Sequence, residues 1–128
     1  MATLFLTEHL EVGVRGEDLA ERAFLEMEFV ICERNWRGGG GELDLVCTQG
    51  ELVVFVEVRT RRSRFLQSPT MTINGPKQAR LARAASAWLM GQAGSYPVIR
   101  FDVIAVLIEP DGVRLEHVEN AFVPKWAY

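Results

Sequence analysis

The sequence contains few cysteines and histidines, no long apolar run, and no acidic residue between positions 58 and 101. Its two cysteines do not form a CxxC pair, and its two histidines are isolated. This spacing disfavours a disulfide framework, a zinc site and histidine-based nucleophilic catalysis. The amino-terminal residues lack a basic leader, and no segment approaches the roughly 20 apolar residues of a membrane span. We therefore expect a soluble, cytoplasmic protein with no membrane partner.

Charge is strongly segregated along the chain. Residues 58–101 contain eight basic residues and no acid, although the net charge of the whole chain is -3. A basic segment of this kind is typical of proteins that contact a phosphate backbone, but a solvated helix face and loop explain it equally well. The candidates for nucleic-acid contacts are Arg61, Arg62, Arg64, Arg80 and Arg83.

Length and composition predict one globular domain, residues 13–128, preceded by an amino-terminal arm, residues 1–12. Apolar periodicity and turn signals predict alternating helices and strands, which favours an α/β fold in which helices flank a mixed sheet. The predicted helices are residues 15–29 and 75–91, and the predicted strands are residues 30–36, 43–47, 52–59, 101–108 and 113–118.

Two acids interrupt neighbouring apolar strands: Asp44 in GELDLVC and Glu57 in FVEVRT. If Gln49 and Gly50 form a two-residue hairpin loop, Asp44 lies opposite Phe55 and is a diagonal neighbour of Glu57. Because strand side chains alternate with a period of two, both carboxylates then project from the same face.

A divalent cation between these two acids would explain their placement. Two carboxylates side by side repel each other and are costly to desolvate, and Mg²⁺ prefers oxygen ligands of this kind. The alternative is that each acid pairs with an arginine, Asp44 with Arg37 and Glu57 with Arg59 or Arg61.

Several short motifs occur in a fixed order along the chain. They are RGEDLA at 15–20, NWR at 35–37, GELDLV at 41–46, FVEVRTR at 55–61, Lys77 at a helix start, and RFDV at 100–103. From about residue 13 to residue 122 this pattern resembles the YraN-type uncharacterised family. That family is similar in fold to the PD-(D/E)xK nucleases, which include restriction endonucleases and Holliday-junction resolvases. The resemblance implies a restriction-endonuclease-like mixed sheet flanked by helices.

The resemblance also implies roles for individual residues. Asp44 corresponds to the motif aspartate, Glu57 to the acid of the ExK element, and Arg59 to its basic position. Glu17 matches the acid that the first helix often supplies, although an ordinary first-turn acid favoured by the helix dipole explains it equally well without the resemblance. The backbone carbonyl of Val58 would be a further metal ligand.

The chain departs from the nuclease pattern at Arg59, where these enzymes usually carry a lysine. A guanidinium group cannot give up a proton at working pH. Lys77 is the candidate substitute, and a solvated lysine is the alternative. Asp102 is a candidate additional acid near the site, although pairing with Arg100 or Arg80 explains it equally well.

These observations predict a Mg²⁺-dependent endonuclease, with Mn²⁺ as a possible replacement, that acts on DNA and includes branched or structured DNA among its candidate substrates. One alternative is a catalytically inactive nucleic-acid-binding protein that keeps the nuclease fold. Another is a partner-binding subunit that uses the apolar residues of the arm, Leu4, Phe5, Leu6 and Leu10. A homodimer is expected by analogy with junction-cutting enzymes alone.

Overall fold

The computed structural model describes residues 2–6, 16–62 and 73–127. The elements in this part of the chain are β1 (Ala2–Leu6), α1 (Gly16–Glu26), β2 (Val30–Gly38), β3 (Gly41–Gln49), β4 (Leu52–Arg62), α2 (Gly75–Met90), β5 (Val98–Glu109) and β6 (Gly112–Phe122), followed by a 3₁₀ helix (Lys125–Ala127). Each helix and strand predicted from the sequence is present, and β1 is an additional strand.

The described strands form one six-stranded sheet in the order β1-β6-β5-β4-β3-β2. The central strands β4 and β5 are parallel, and all other neighbours are antiparallel. Because parallel neighbours need a crossover connection, α2 lies between β4 and β5 in the chain. This arrangement confirms the predicted α/β mixed sheet and is consistent with a restriction-endonuclease-like fold.

Both faces of the sheet are covered by a helix. On one face, Leu19 and Phe24 of α1 pack in a cluster with Val54, Val56 and Ile104. On the other face, the apolar side of α2 packs against the opposite side chains of the same strands. The residues of this second cluster include Leu81, Ala84, Trp88, Phe55, Phe101 and Val103. The central strands are therefore buried on both sides, which explains their nearly continuous apolar runs.

The start of α2 is fixed by local signals in the sequence. The Asn74 side chain accepts a hydrogen bond from the Lys77 backbone N–H at 2.9 Å, and Pro76 lies in the first turn. Both features are typical of helix N-termini. The helix ends at Met90, and the N–H of the C-cap residue Gly91 donates to the Trp88 carbonyl at 3.1 Å.

The glycine run between β2 and β3 is a two-residue turn that lies against α2. Gly39 and Gly40 have φ values of 61° and 82°, which side-chain-bearing residues rarely adopt. A Cβ atom on Gly39 would lie 2.5 Å from the Arg83 carbonyl oxygen, and one on Gly41 would lie 2.7 Å from the Arg80 carbonyl oxygen. The run therefore brings the hairpin backbone close to the α2 backbone.

Part of the predicted amino-terminal arm adds an edge strand to the sheet. Residues 2–6 form β1, which pairs with β6 so that Leu4 is opposite Leu115. Leu10 lies outside the described residues. Among the helices that the structure describes, none has the length and apolar character needed to cross a membrane.

Candidate active site

Asp44 lies where β3 departs from regular pairing. The ladder between β3 and β4 extends as far as Leu45 opposite Val56 and stops before Asp44. Leu43 packs in the α2 cluster, whereas Leu45 packs in the α1 cluster. Regular alternation would place both leucines on one face, so the strand changes its orientation at Asp44. This irregularity frees the Asp44 carboxylate from the packed interior of the sheet.

The hairpin register differs from the prediction by two residues. Gln49 is opposite Leu52, so the loop consists of Gly50 and Glu51 instead of Gln49 and Gly50. The predicted pairing of Asp44 with Phe55 is therefore wrong, because Phe55 is opposite Val46. The ladder ends at Leu45 opposite Val56, so it includes neither Asp44 nor Glu57. Both acids nevertheless line the same cavity.

The surroundings of Asp44 affect its pKa in opposite directions. Burial raises its pKa, a hydrogen bond from the Val58 backbone N–H at 2.8 Å lowers it, and the neighbouring acids Glu57 and Glu17 raise it further. The net result is an Asp44 pKa of about 7, against an ordinary value of 3.8. Ionisation of Asp44 is therefore much less favourable in the folded protein than in water.

Lys77 contacts the second acid. Its Nζ lies 3.2 Å from Oε2 of Glu57, and the exposed fractions of the two side chains are 37% and 11%. A positive charge in the first turn of a helix opposes the helix dipole, and Glu57 is the partner that compensates it. Arg37, which the alternative interpretation paired with Asp44, instead contacts Glu42 at 3.3 Å.

An open cleft of about 790 Å³ surrounds the two acids. Besides Asp44 and Glu57, its lining residues are Val58, Arg59, Thr60, Arg61, Ile73, Asn74, Lys77 and Arg80. All of the other charged residues in this lining are basic, so the two acids are surrounded by positively charged side chains. The cleft opens between the end of β4 and the start of α2.

Of the five arginines predicted to contact nucleic acid, the structure places two at the cleft. Arg61 and Arg80 line the cleft, whereas Arg83 lines a different cavity. Arg62 is the last residue of β4, and Arg64 lies outside the described residues.

Glu17 is not among the residues that line the cleft, but it lies close enough to influence Asp44 electrostatically. It lies in the first turn of α1, is half-buried, and contributes to the raised pKa of Asp44. The neighbouring Gly16 is buried, and a Cβ atom there would collide with the Thr60 hydroxyl. This close approach holds the start of α1 against the end of β4, next to the two strand acids.

The sequence profile of the uncharacterised protein family UPF0102 matches residues 16–106, which include every one of these side chains. A UPF0102 protein of Geobacter sulfurreducens is 43% identical over 112 residues, covering 87% of this chain and 88% of the relative. A UPF0102 protein of Rhodococcus jostii is 39% identical over 118 residues, covering 91% of this chain and all of the relative. The chain belongs to family UPF0102. This confirms the resemblance to the YraN-type family, and the names of these relatives state no activity.

The described residues of this UPF0102 chain contain no group of three or more His, Cys, Asp or Glu side chains close enough together to hold a metal ion. Asp44 and Glu57 therefore stand as a pair, with Glu17 near enough to influence Asp44 electrostatically. Two carboxylates with water molecules are a common ligand set for Mg²⁺, so this pair fits that ion without a third protein carboxylate.

Asp102 does not line the cleft of this UPF0102 protein. Its buried carboxylate receives hydrogen bonds from Arg100 Nε at 2.8 Å and from the Asn120 backbone N–H at 3.0 Å, and it contacts His117 Nε2 at 2.7 Å. Burial opposes ionisation of Asp102, but the contacts with His117, Arg100 and Asn120 lower its pKa. Asp102 therefore pairs with Arg100 and not with Arg80. It belongs to a buried cluster separate from the cleft.

His117 is the member of that cluster that the sequence does not reveal. It looks isolated along the chain because its partner, Asp102, is fifteen residues away and on another strand. The Arg100-x-Asp102 spacing, which places two side chains on one face of a strand, is the only part of the cluster visible in the sequence.

Proposed function

We propose that this protein is a Mg²⁺-dependent phosphodiesterase that cleaves DNA, with Asp44 and Glu57 as the metal ligands. The observation that supports this most directly is a pair of interacting carboxylates in an open cleft whose other charged residues are basic. The Asp44 pKa of about 7 reflects unfavourable negative charge that a bound cation would relieve.

The donor set suits a hard cation. Asp44 and Glu57 offer carboxylate oxygens, and the carbonyl of Val58 is a further oxygen donor. The Val58 N–H points toward Asp44, and in an extended strand the N–H and C=O of one residue point toward the same neighbour. Mg²⁺ keeps several water ligands, and Mn²⁺ accepts the same oxygen donors.

Each charged group of the cleft has a distinct task in the proposed reaction. A bound Mg²⁺ supplies Lewis-acid stabilisation of the phosphoryl oxygens and lowers the pKa of the attacking water. Lys77 provides an ammonium group next to Glu57 that can orient a water molecule and exchange a proton, which Arg59 cannot do. Arg59, Arg61 and Arg80 would hold the phosphate backbone, so we expect recognition of DNA structure more than of base sequence.

The second candidate function is a nucleic-acid-binding protein that keeps the fold without cleavage. The arginine at position 59, where nucleases of this fold usually carry lysine, is the observation that favours it. Such a protein binds DNA in a salt-dependent manner and shows no cleavage on addition of divalent cations.

Cleavage assays with the full chain separate these two functions. Branched, single-stranded and duplex DNA are incubated with Mg²⁺, with Mn²⁺ or with EDTA. We expect divalent-dependent cleavage by the wild type, and a loss of at least about a hundredfold in rate for Asp44→Asn and Glu57→Gln, because a metal ion contributes several kcal/mol of transition-state stabilisation. Asp111→Asn, at an exposed acid in the β5–β6 turn, is the matched control and should cut at the wild-type rate.

Each outcome of these assays separates the candidates. Cleavage that survives in Asp44→Asn would place the reaction elsewhere. DNA binding without cleavage in any divalent cation would instead favour the non-cutting protein. Sedimentation of the same samples measures whether the protein is the expected homodimer.

A further inference from the structure

A second cavity lies beside α2 and is lined by residues of this helix other than those that line the cleft. It has a volume of about 490 Å³ and is lined by α2 and by the carboxy-terminal segment after β6. Gly75, Gln78 and Ala82 contribute one stripe of the helix to this groove, at spacings of three and four residues. Asn74, Lys77 and Arg80 form the adjacent stripe, which lines the cleft. The first turns of α2 are thus a ridge between the two cavities.

A partly exposed tryptophan forms one wall of this groove. Trp126 lies in the 3₁₀ helix Lys125–Ala127 and is 44% exposed. Its ring meets Phe101 of the α2 cluster edge-to-face, with centroids 6.4 Å apart and planes at 71°. The contact with Phe101 anchors the ring, while the exposed part remains available to a ligand. Trp36 and Trp88, by contrast, pack within or against the α2 cluster.

The charged side chains that line the groove are basic. Arg83 and Lys125 are its charged lining residues, and both are exposed. No acidic residue contributes to the lining among the residues that the structure describes. An aromatic ring flanked by cations is the combination that proteins use for single-stranded nucleic acid, because bases stack on the ring while the cations contact phosphates.

The geometry points to a binding site for an unpaired, single-stranded stretch of nucleic acid in this groove, with Trp126 stacking on a base and Arg83 and Lys125 contacting phosphates. The site extends the proposed function, on which it rests, because the same strand would continue over the α2 ridge into the cleft. A helix is about 10 Å across and stacked nucleotides advance about 3.4 Å each, so about three nucleotides span the ridge. The substrate class is then DNA with a single-stranded flank.

Binding measured without metal tests this site independently of cleavage. The full chain in EDTA is titrated with an oligothymidylate of about ten nucleotides and with a blunt duplex, and affinity is followed by fluorescence anisotropy. Trp126→Leu keeps an apolar contact with Phe101 but removes the stacking surface, and we expect it to weaken oligothymidylate binding about tenfold with little effect on the duplex. Trp126→Phe should recover part of the loss.

Quenching of intrinsic tryptophan fluorescence gives a second readout. Stacking of a base on Trp126 should quench the wild-type signal on titration, and Trp126→Phe should abolish this quenching although Trp36 and Trp88 remain. Arg83→Gln should weaken single-strand binding, whereas Arg22→Gln, at an exposed arginine of α1, should not. Leu25→Ala is the matched control for loss of an exposed apolar side chain, since Leu25 is 53% exposed on α1.

Equal single-strand affinity in the wild type and in a folded Trp126→Leu variant, checked by thermal unfolding, would overturn the site. The site is also overturned if Trp126→Leu changes only the sedimentation mass, because the groove would then be a contact between copies of the chain. Trp126-dependent binding without any cleavage supports the groove while contradicting the phosphodiesterase, so the two proposals fail separately.

Discussion

Asp44 accepts a hydrogen bond from the Val58 backbone amide at 2.8 Å, an interaction that by itself lowers the pKa of a carboxyl group. The pKa of Asp44 nevertheless rises to about 7, because burial and the acids Glu57 and Glu17 outweigh that hydrogen bond. Lys77 approaches Glu57 at 3.2 Å, on the α2 side of the cleft. At neutral pH the protonated and ionised forms of Asp44 are therefore close in free energy, and added positive charge favours the ionised form.

The stability of the metal-free protein should consequently fall as the pH rises from about 4 to about 7. The Asp44 pKa is 3.8 when unperturbed and about 7 in the folded protein, so in this range the folded state retains a proton that the unfolded chain has released. Stability decreases with pH wherever the folded state binds more protons. The shift corresponds to at most about 4 kcal/mol, and to about 2 kcal/mol after screening by water at this partly exposed group.

Urea unfolding in EDTA at about pH 5 and about pH 8 measures this loss of stability. Comparison with a variant that lacks the Asp44 carboxyl group removes the contributions of other titrating groups. Asp44→Asn keeps the acceptor for the Val58 amide but cannot ionise, so its free energy of unfolding should decline less with pH than that of the wild type. Asp111→Asn should decline as the wild type does. An Asp44→Asn protein with the full wild-type pH dependence would contradict the raised pKa.

The β3–β4 hairpin shows which features of the candidate site the sequence determines. The loops Gln49-Gly50 and Gly50-Glu51 both contain two residues, and both place Gly50 where a positive φ is tolerated. Local sequence does not distinguish them, so it leaves the register uncertain by two residues. In either register Asp44 and Glu57 lie near each other across the hairpin, and the structure brings both to the same cleft. The candidate site is therefore predictable although its pairing is not.

The Asp102 cluster is not predictable in the same way. It depends on an irregularity between β5 and β6, where the register shifts between Phe101 and Val103. Asn120 adopts a left-handed φ of 53° in this region and directs its N–H at Asp102. Which strands are neighbours, and where their ladder is interrupted, follows from the packing of the whole sheet and not from the periodicity of either strand.

The glycine turn between β2 and β3 positions α2, and a matched pair of substitutions tests this. Gly39 and Gly50 have nearly equal φ values of 61° and 59°. A Cβ on Gly39 would meet the Arg83 carbonyl oxygen at 2.5 Å, whereas one on Gly50 would meet nothing within 4 Å. Gly50→Ala should therefore cost only the left-handed conformation, about 1 kcal/mol, while Gly39→Ala also forces the α2 backbone away and should cost about 3 kcal/mol.

Denaturant unfolding of both variants measures the difference, which isolates the contact with α2 from the backbone strain. Because α2 carries Lys77 and Arg80, Gly39→Ala should also weaken DNA binding in a protein that remains folded. Equal destabilisation by the two substitutions would show that the turn does not support the helix.

The folded chain brings together acidic and basic residues that lie in separate segments of the sequence. The acidic first part of the chain contributes Asp44, and the wholly basic segment 58–101 contributes Arg61, Lys77 and Arg80 to the same cleft. The parallel pairing of β4 with β5 requires α2 to cross over the sheet, and this crossover brings its first turn to the end of β4. A chain with a net charge of -3 thereby presents a locally positive surface around two acids.

This arrangement predicts how DNA binding depends on salt. Each phosphate that a cation neutralises releases counterions, so the slope of log affinity against log salt should become less steep by about 0.9 for duplex DNA when one such cation is lost. Arg61→Gln and Arg80→Gln should each reduce the slope by about this amount, whereas Arg22→Gln on α1 should leave it unchanged. Fluorescence anisotropy in EDTA between about 50 and 200 mM salt measures the slopes without cleavage.

The same titration separates charge from stacking. Trp126→Leu removes no cation, so it should lower single-strand affinity at every salt concentration while leaving the slope as in the wild type. If Arg61→Gln and Arg80→Gln both keep the wild-type slope, DNA does not follow the basic wall of the cleft, and the clustering of arginines there reflects only a solvated surface.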